Sequence, residues 1–105
     1  MSESGAGAVD FGYLERFMAG DRAVVGEVLG IFLEQARIWA PKLDPEAAGW
    51  REVVHTVKGA SRGIGANTLG DICAAAEAEG EAKLPAVREA LAEAVAAIEA
   101  YLDTK

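Results

Sequence analysis

Hydrophobic residues recur along this chain at intervals of three and four, the spacing that places side chains on one face of an α-helix. No alternating run rich in valine, isoleucine and threonine indicates a β-strand. The pattern predicts a short helix near residues 9–18 and longer helices over about 22–39, 44–62, 68–79 and 85–102. Four long amphipathic helices with short connections predict an all-α fold, an antiparallel four-helix bundle with the short N-terminal helix as a lid on one end.

Each predicted helix carries one apolar stripe, and these stripes are expected to form the core. Because the other faces are charged and suited to water, a monomer is expected. In chain order the stripes contain Phe11, Leu14, Phe17 and Met18, then Val25, Val28, Leu29, Phe32, Ala36 and Trp39, then Trp50, Val53, Val54, Val57, Ser61 and Ile64, then Leu69, Ile72, Cys73 and Ala76, and finally Val87, Leu91, Val95, Ile98 and Leu102.

The residues between the stripes predict where helices begin and end. Asp21 is a suitable N-cap for the second helix, and Pro41 should end it, since the residue before a proline is disfavoured in the helical region. Asp44 and Pro45 predict the start of the third helix, with the aspartate as N-cap and the proline at the first helical position. Gly80 is the predicted C-terminal cap of the fourth helix.

Length and charge restrict the class of protein. With 105 residues the chain fits one domain over 9–105, preceded by a small polar tail, 1–8, that is expected to be disordered. A formal charge of −7 argues against nucleic-acid and anionic-membrane binding. One cysteine, no signal-peptide pattern and no apolar run approaching about 20 residues predict a cytoplasmic protein without a membrane span.

The chain contains a single histidine, His55, on the third predicted helix. At about 100° per residue it falls nearly opposite the apolar face of that helix. Three bases, Arg51, Lys58 and Arg62, share its side, and so does Gly59. Three of the ten bases but only one of the 17 acids lie within residues 51–62, which predicts a positive patch on an acidic protein. A glycine in mid-helix costs about 0.5–1 kcal/mol relative to alanine, but it leaves a notch through which another molecule could approach the imidazole.

Several interpretations of His55 are open on position alone. An exposed histidine on a helix is most often an ordinary surface residue. A core histidine conflicts with its place on the helix. A metal site lacks a second histidine, and Cys73 falls on an apolar stripe, so no metal is expected. Ser61 has no candidate base on its side of the helix, and the glycines of "GASRGIG" lack the spacing of a phosphate-binding loop.

The chemistry of this face suits a phosphoryl carrier. A neutral imidazole is a good nucleophile near pH 7, since histidine titrates near pKa 6.5. Lys58 and Arg62, one and two helical turns away, could offset the charge of a phosphoryl group. Phosphoryl transfer requires mainly alignment and charge neutralisation, and a partner could bring the remaining groups to an exposed helix.

The stretch "HTVKGASRGIGANTLGDICAAAE", His55 to Glu77, resembles the signature of the histidine-containing phosphotransfer (HPt) domains. The resemblance implies that His55 is phosphorylated, that Lys58 steadies the phosphate and that Gly59 gives a partner access. From their shared side of the helix, Arg51 and Arg62 are expected to belong to the partner-binding face around His55 and Lys58. Many family members carry an amide or another polar residue on the next helix, reaching toward the histidine, where this chain has Glu77. A carboxylate there would repel a phosphate, but it could orient the imidazole before phosphorylation.

The resemblance further implies a relay in a two-component system. An aspartyl phosphate on a response-regulator receiver domain would pass its phosphoryl group to His55 and then to a second receiver, or a histidine kinase would phosphorylate His55 directly. The chain shows no ATP site and should not phosphorylate itself, and no cofactor is expected beyond Mg²⁺ bound by the receiver domain. A helical bundle that binds a receiver or a partner helix without transfer is the alternative, although binding alone would need neither an exposed histidine nor the adjacent Lys-Gly.

Overall fold

The computed structural model describes residues 8–104 and contains five α-helices with defined bounds in that range. These are α1 (Phe11–Phe17), α2 (Arg22–Trp39), α3 (Trp50–Gly63), α4 (Asn67–Glu79) and α5 (Leu84–Asp103). Short 3₁₀ turns occupy Ala40–Lys42 and Glu81–Lys83. Residues 1–7 of the predicted tail lie outside the described residues, and Ala8, assigned to the same tail, instead packs against the core.

The four long helices form the predicted bundle. Contacts join α2 to α3, α3 to α4, α4 to α5, and α5 back to α2. All four therefore turn one face toward a common core, as their apolar stripes require. The most completely buried large side chains come from every part of the bundle and include Leu14, Leu29, Leu43, Val54, Val57, Leu69, Leu84, Val87 and Ile98.

The second helix confirms the sequence prediction at both ends. Oδ1 of Asp21 accepts a hydrogen bond from the Val24 amide at 3.2 Å, which satisfies one of the free donors of the first turn. The helix ends at Trp39, and Pro41 lies in the 3₁₀ turn that follows. Beyond this turn, Nη1 of Arg88 on α5 donates to the carbonyl of Leu43 at 2.6 Å and ties the connection to the bundle.

The predicted start of the third helix at Asp44 was wrong, because α3 begins at Trp50. The Asp44 side chain accepts from the Glu46 amide at 2.8 Å and its carbonyl from the Ala47 amide at 2.9 Å, so the aspartate stabilises a tight turn. Gly49 then adopts a left-handed conformation, with φ of +81°, which interrupts any helix that began earlier. The turn allows Trp50 to enter the core, where it is 8% exposed.

The short helix α1 covers one end of the bundle, as predicted, but it is shorter than the sequence suggested. The ring of Phe11 stacks on Tyr101 near the end of α5, with ring centroids 4.2 Å apart, and the Tyr101 hydroxyl donates to Glu15. Leu14 is buried, whereas Phe17 is 67% exposed, so its assignment to the inward face was wrong. Phe17 is the last residue of this helix, and its side chain points away from the bundle.

The turn between α3 and α4 fixes the N-terminal segment against the bundle. Gly65 has φ of +84°, and its carbonyl accepts from the Asp10 amide at 2.9 Å. A Cβ atom at position 65 would lie 2.9 Å from the Asp10 carbonyl oxygen, so the close approach requires glycine. Within residues 8–104, no helix combines the length and the apolar character needed to cross a membrane.

Candidate functional site

His55 lies in the middle of α3, outside the face that packs into the bundle. The buried residues of this helix are Trp50, Val54, Val57 and Ser61. The His55 side chain is 73% exposed, which confirms that it is a surface residue and not a core histidine. The structure places it on the flank of α3 that borders α4, whereas the sequence pattern had placed it nearly opposite the core. Its imidazole is therefore within reach of a second helix.

Glu77 of α4 binds two residues of α3 with its two carboxylate oxygens. Oε2 lies 2.8 Å from Nδ1 of His55, and Oε1 lies 2.5 Å from Nζ of Lys58. An ionised carboxylate can only accept hydrogen bonds, so Nδ1 carries the ring proton in the neutral imidazole and Nε2 keeps a free lone pair. Hydrogen bonds from Lys58 and then His55 lower the pKa of the Glu77 carboxyl below its ordinary value, which keeps it ionised.

Two further bases lie on α3, one turn before His55 and two turns after it. The guanidinium of Arg51 lies over the Trp50 ring, 4.4 Å from its centroid, in a cation–π contact. Nη2 of Arg62 lies 3.4 Å from Oδ1 of Asp71 on α4. The Arg62 side chain crosses α4 at Gly70, where a Cβ atom would lie only 2.9 Å from its Cγ atom. Gly70 thus leaves the space through which Arg62 reaches the carboxylate.

The positive patch predicted from α3 is offset by carboxylates from α4. Glu77 is paired with Lys58, and Asp71 lies beside Arg62. The prediction of a positive patch considered α3 alone and was wrong for the assembled surface. Asp71 and Gly70 were missed because their relation to Arg62 arises only when α4 packs on α3. Glu77 was singled out through the family resemblance, and no spacing within one helix pairs it with a histidine 22 residues away.

Gly59 lies on the exposed side of α3, one turn after His55. A Cβ atom built at this position would meet nothing within 4 Å among the described residues outside the local helix backbone, and the residue is in ordinary helical backbone. Neither close packing nor backbone strain within the described part of the chain therefore requires glycine here. The absent side chain leaves the approach to this side of the imidazole open.

Two other nucleophilic side chains near this site are buried. The Ser61 hydroxyl donates to the Val57 carbonyl at 2.6 Å, and the residue is 0% exposed. Cys73 on α4 is also 0% exposed, and burial followed by the nearby Glu77 charge raises the pKa of its thiol to about 11. Neither group is available to a phosphoryl donor in solution, whereas the imidazole of His55 is exposed.

The arrangement agrees with comparisons to known proteins. The chain is similar to the crystal structure of the histidine phosphotransferase ShpA from Caulobacter crescentus, with 55% sequence identity over 92% of each chain and a TM-score of 0.85. No curated protein matches the chain. The family model of the Hpt domain matches residues 27–101, which include α3, α4 and most of α2 and α5. The chain therefore belongs to the Hpt domain family and is a histidine phosphotransfer protein of a phosphorelay.

Proposed function

We propose that Nε2 of His55 is the atom that carries the phosphoryl group. The observation that supports this assignment is the 2.8 Å contact between Nδ1 of His55 and Glu77, combined with 73% exposure of the imidazole. The contact directs the ring proton to Nδ1 and leaves the Nε2 lone pair for attack on phosphorus. Glu77 acts as a positioning residue, because it fixes the tautomer and the orientation of the ring.

The phosphoryl donor is an aspartyl phosphate on a receiver domain. Nε2 of His55 attacks the phosphorus atom, and the bond between phosphorus and the aspartate oxygen breaks with its electron pair on the departing carboxylate. The Nδ1 proton stays on the ring, so the ring carries a positive charge beside the phosphoryl dianion. The reverse reaction returns the group to an aspartate of a second receiver. The receiver supplies the Mg²⁺, and a histidine kinase is the other partner class that could phosphorylate the same nitrogen.

Residues around His55 receive the partner and the added charge. Lys58 lies one turn from His55, and its ammonium group binds the same Glu77 carboxylate as the imidazole. Its positive charge offsets the charge of the phosphoryl group. Gly59 leaves room for the receiver to bring its aspartyl phosphate into line with Nε2. Arg51 and Arg62 extend the docking face along α3 on either side of His55.

His55→Gln tests the assignment. The glutamine keeps a polar side chain on an exposed helix position but cannot form the phosphoramidate bond. Phosphorylation by a phosphorylated receiver, chosen by screening receivers of the source organism, should be lost, while the free energy of unfolding stays within the range of ordinary surface substitutions, about ±0.5 kcal/mol. Thr56→Gln, also exposed on α3, is the matched control and should be labelled normally. Labelling of the His55→Gln protein at the parent rate would reject the assignment.

A further inference from the structure

Glu77 places a negative charge next to a residue that must carry an anionic group. Its side chain is 29% exposed, and its two oxygens bind Nδ1 of His55 and Nζ of Lys58. Repulsion of the phosphoryl group should make such a carboxylate unfavourable, and orientation of the ring could be achieved by a neutral amide. The chemistry of the phosphorylated ring offers a further role for this negative charge.

Phosphohistidine releases its phosphoryl group readily only when the other ring nitrogen is protonated. With phosphorus on Nε2 and a proton on Nδ1, breaking the P–N bond returns the electron pair to Nε2 and releases a neutral imidazole. Without the Nδ1 proton, the same step would release an imidazolate anion, a strong base and a poor leaving group. Since imidazole nitrogens exchange protons near neutral pH, the protonation of Nδ1 decides whether the group can leave under physiological conditions.

Building on the proposed function, we infer that Glu77 retains the proton on Nδ1 of phosphorylated His55 and so keeps the phosphoryl group transferable at and above neutral pH. An ionised carboxylate at hydrogen-bond distance favours the protonated ring over the unprotonated ring. A neutral amide would accept the same hydrogen bond but would lack most of this preference. The carboxylate thus favours departure of the phosphoryl group, at the expense of a shorter lifetime of the phosphorylated protein.

The charges around the pair support this role. Lys58 and His55, both on α3, are the groups whose interactions lower the pKa of the Glu77 carboxyl, so it stays ionised throughout the neutral range. Cys73, one turn earlier on α4, is buried, and its pKa is raised to about 11, so it remains a neutral thiol. Among the other charged groups of this surface, Arg62 lies beside Asp71 and Arg51 stacks on Trp50. Glu52, the next residue in the sequence, is exposed.

Lys58 does not cancel the preference of the Glu77 carboxylate for the protonated ring. It binds Oε1, whereas the imidazole binds Oε2. If the ammonium group moves toward the phosphoryl oxygens after phosphorylation, the Glu77 carboxylate loses a counter-charge and attracts the Nδ1 proton more strongly. Either position of Lys58 is therefore compatible with proton retention by Glu77.

The test compares the parent protein with Glu77→Gln and uses phosphoramidate as the phosphoryl donor. Nε2 attacks the phosphorus of phosphoramidate, the P–N bond of the donor breaks, and ammonia leaves. After removal of the donor, hydrolysis of the phosphohistidine is followed by ³¹P NMR from about pH 6 to about pH 10. In this step water attacks phosphorus and supplies both protons of the dihydrogen phosphate product, and the ring leaves as neutral imidazole.

The parent protein should lose its phosphoryl group rapidly up to a higher pH than the Glu77→Gln variant. We expect the midpoint of the pH profile to fall by about one pH unit in the variant, the lower end of the range for an opposite charge within hydrogen-bond distance. Above both midpoints the variant should then release phosphate about tenfold more slowly. Glu79→Gln is the matched control, because Glu79 lies on the same helix and pairs with Lys83, 3.4 Å away. Its profile should coincide with that of the parent.

A double variant separates retention of the Nδ1 proton from an effect of Lys58. The midpoint should fall by the same amount when Glu77→Gln is introduced into the Lys58→Met protein as when it is introduced into the parent. Disappearance of the shift in that background would assign it to release of Lys58 and overturn the inference. Glu77→Asp keeps the charge but withdraws it by one methylene group, so its midpoint should lie between those of the parent and the glutamine variant.

The outcomes distinguish the inference from the proposed function. If Glu77→Gln is phosphorylated on His55 and its profile matches the parent, the inference is wrong and the proposed function stands. If Glu77→Gln takes up no label, the aspartate variant decides, and a profile identical to that of the parent overturns the inference. Failure of the parent protein itself to form phosphohistidine at position 55 would reject the proposed function instead.

Discussion

At the scale of single residues, Gly59 is the feature of the His55 surface that points to access by a partner protein. Glycine in a helix interior costs about 0.5–1 kcal/mol relative to alanine. Within residues 8–104, its ordinary helical backbone and the open space around it give no structural reason for the residue. Its place one turn after His55 favours a role in access by a receiver, which a substitution can test.

Gly59→Gln should therefore stabilise the protein slightly while slowing phosphotransfer. Glutamine is a better helix former than glycine by several tenths of a kcal/mol, and its side chain would fill the open space beside the imidazole. Transfer rates from a phosphorylated receiver, measured alongside thermal melts, provide the two readouts. Gly30→Gln is the control, because Gly30 lies within α2 and a Cβ atom there also meets nothing within 4 Å. Equal transfer rates for the two variants would show that access at position 59 is not limiting.

At the scale of elements, the turn between α3 and α4 has two functions. It reverses the chain so that α4 packs beside α3, which brings Glu77 to His55. It also receives the segment before α1, through the hydrogen bond between the Asp10 amide and the Gly65 carbonyl. Glycine at position 65 permits both the left-handed backbone and the close approach of Asp10. The turn thus links the lid of the bundle to the end of the site-bearing helix.

Gly65→Ala is expected to destabilise the fold more than Gly20→Ala. Both glycines have positive φ, so each substitution incurs about 1–2 kcal/mol of backbone strain. A Cβ atom at position 65 would additionally approach the Asp10 carbonyl to 2.9 Å, whereas one at position 20 meets nothing within 4 Å. Urea unfolding should place the Gly65 variant at least about 1 kcal/mol below the Gly20 variant. Equal midpoints would mean that the contact with Asp10 contributes no measurable stability.

At the scale of the whole molecule, one core holds the four long helices in the register that forms the site. Phe32 on α2 is 4% exposed and its ring meets Trp39 edge to face, with centroids 5.5 Å apart. Leu91 on α5, which faces the same interior, is 2% exposed. Because the site residues lie on the outer flank of α3 and α4, stability and phosphotransfer should respond to different substitutions.

Phe32→Ala should lower the free energy of unfolding by about 3–5 kcal/mol, and Leu91→Ala by about 2–5 kcal/mol, through lost burial and a residual cavity. Ile31→Ala is the control, since Ile31 precedes Phe32 but is 59% exposed. It should change stability by no more than about 0.5 kcal/mol. Denaturant titrations measure these values, and phosphotransfer below the unfolding transition should persist in all three variants. A negligible loss in Phe32→Ala would contradict the helix register described above.

The sequence by itself determined the helices, because their signals are local. A 3.6-residue period, the Asp21 cap and Pro41 gave the bounds of α2, and the pattern placed His55 on the surface. The same local reasoning was wrong at Asp44, where an N-cap and a tight turn use the same side-chain hydrogen bonding. A turn that depends on Gly49 and on burial of Trp50 is decided by the whole bundle.

Only the tertiary structure decided the surroundings of the histidine. The helical period gives the direction of each side chain around the axis of its helix. It contains no information on which flank of that helix a neighbouring helix will cover. Packing of α3 on α4 is set by complementary side chains on both, and it placed Glu77 between His55 and Lys58 and Asp71 beside Arg62. The predicted positive patch thereby became a nearly balanced surface, and the carboxylate at Nδ1 became a candidate for control of phosphoryl release.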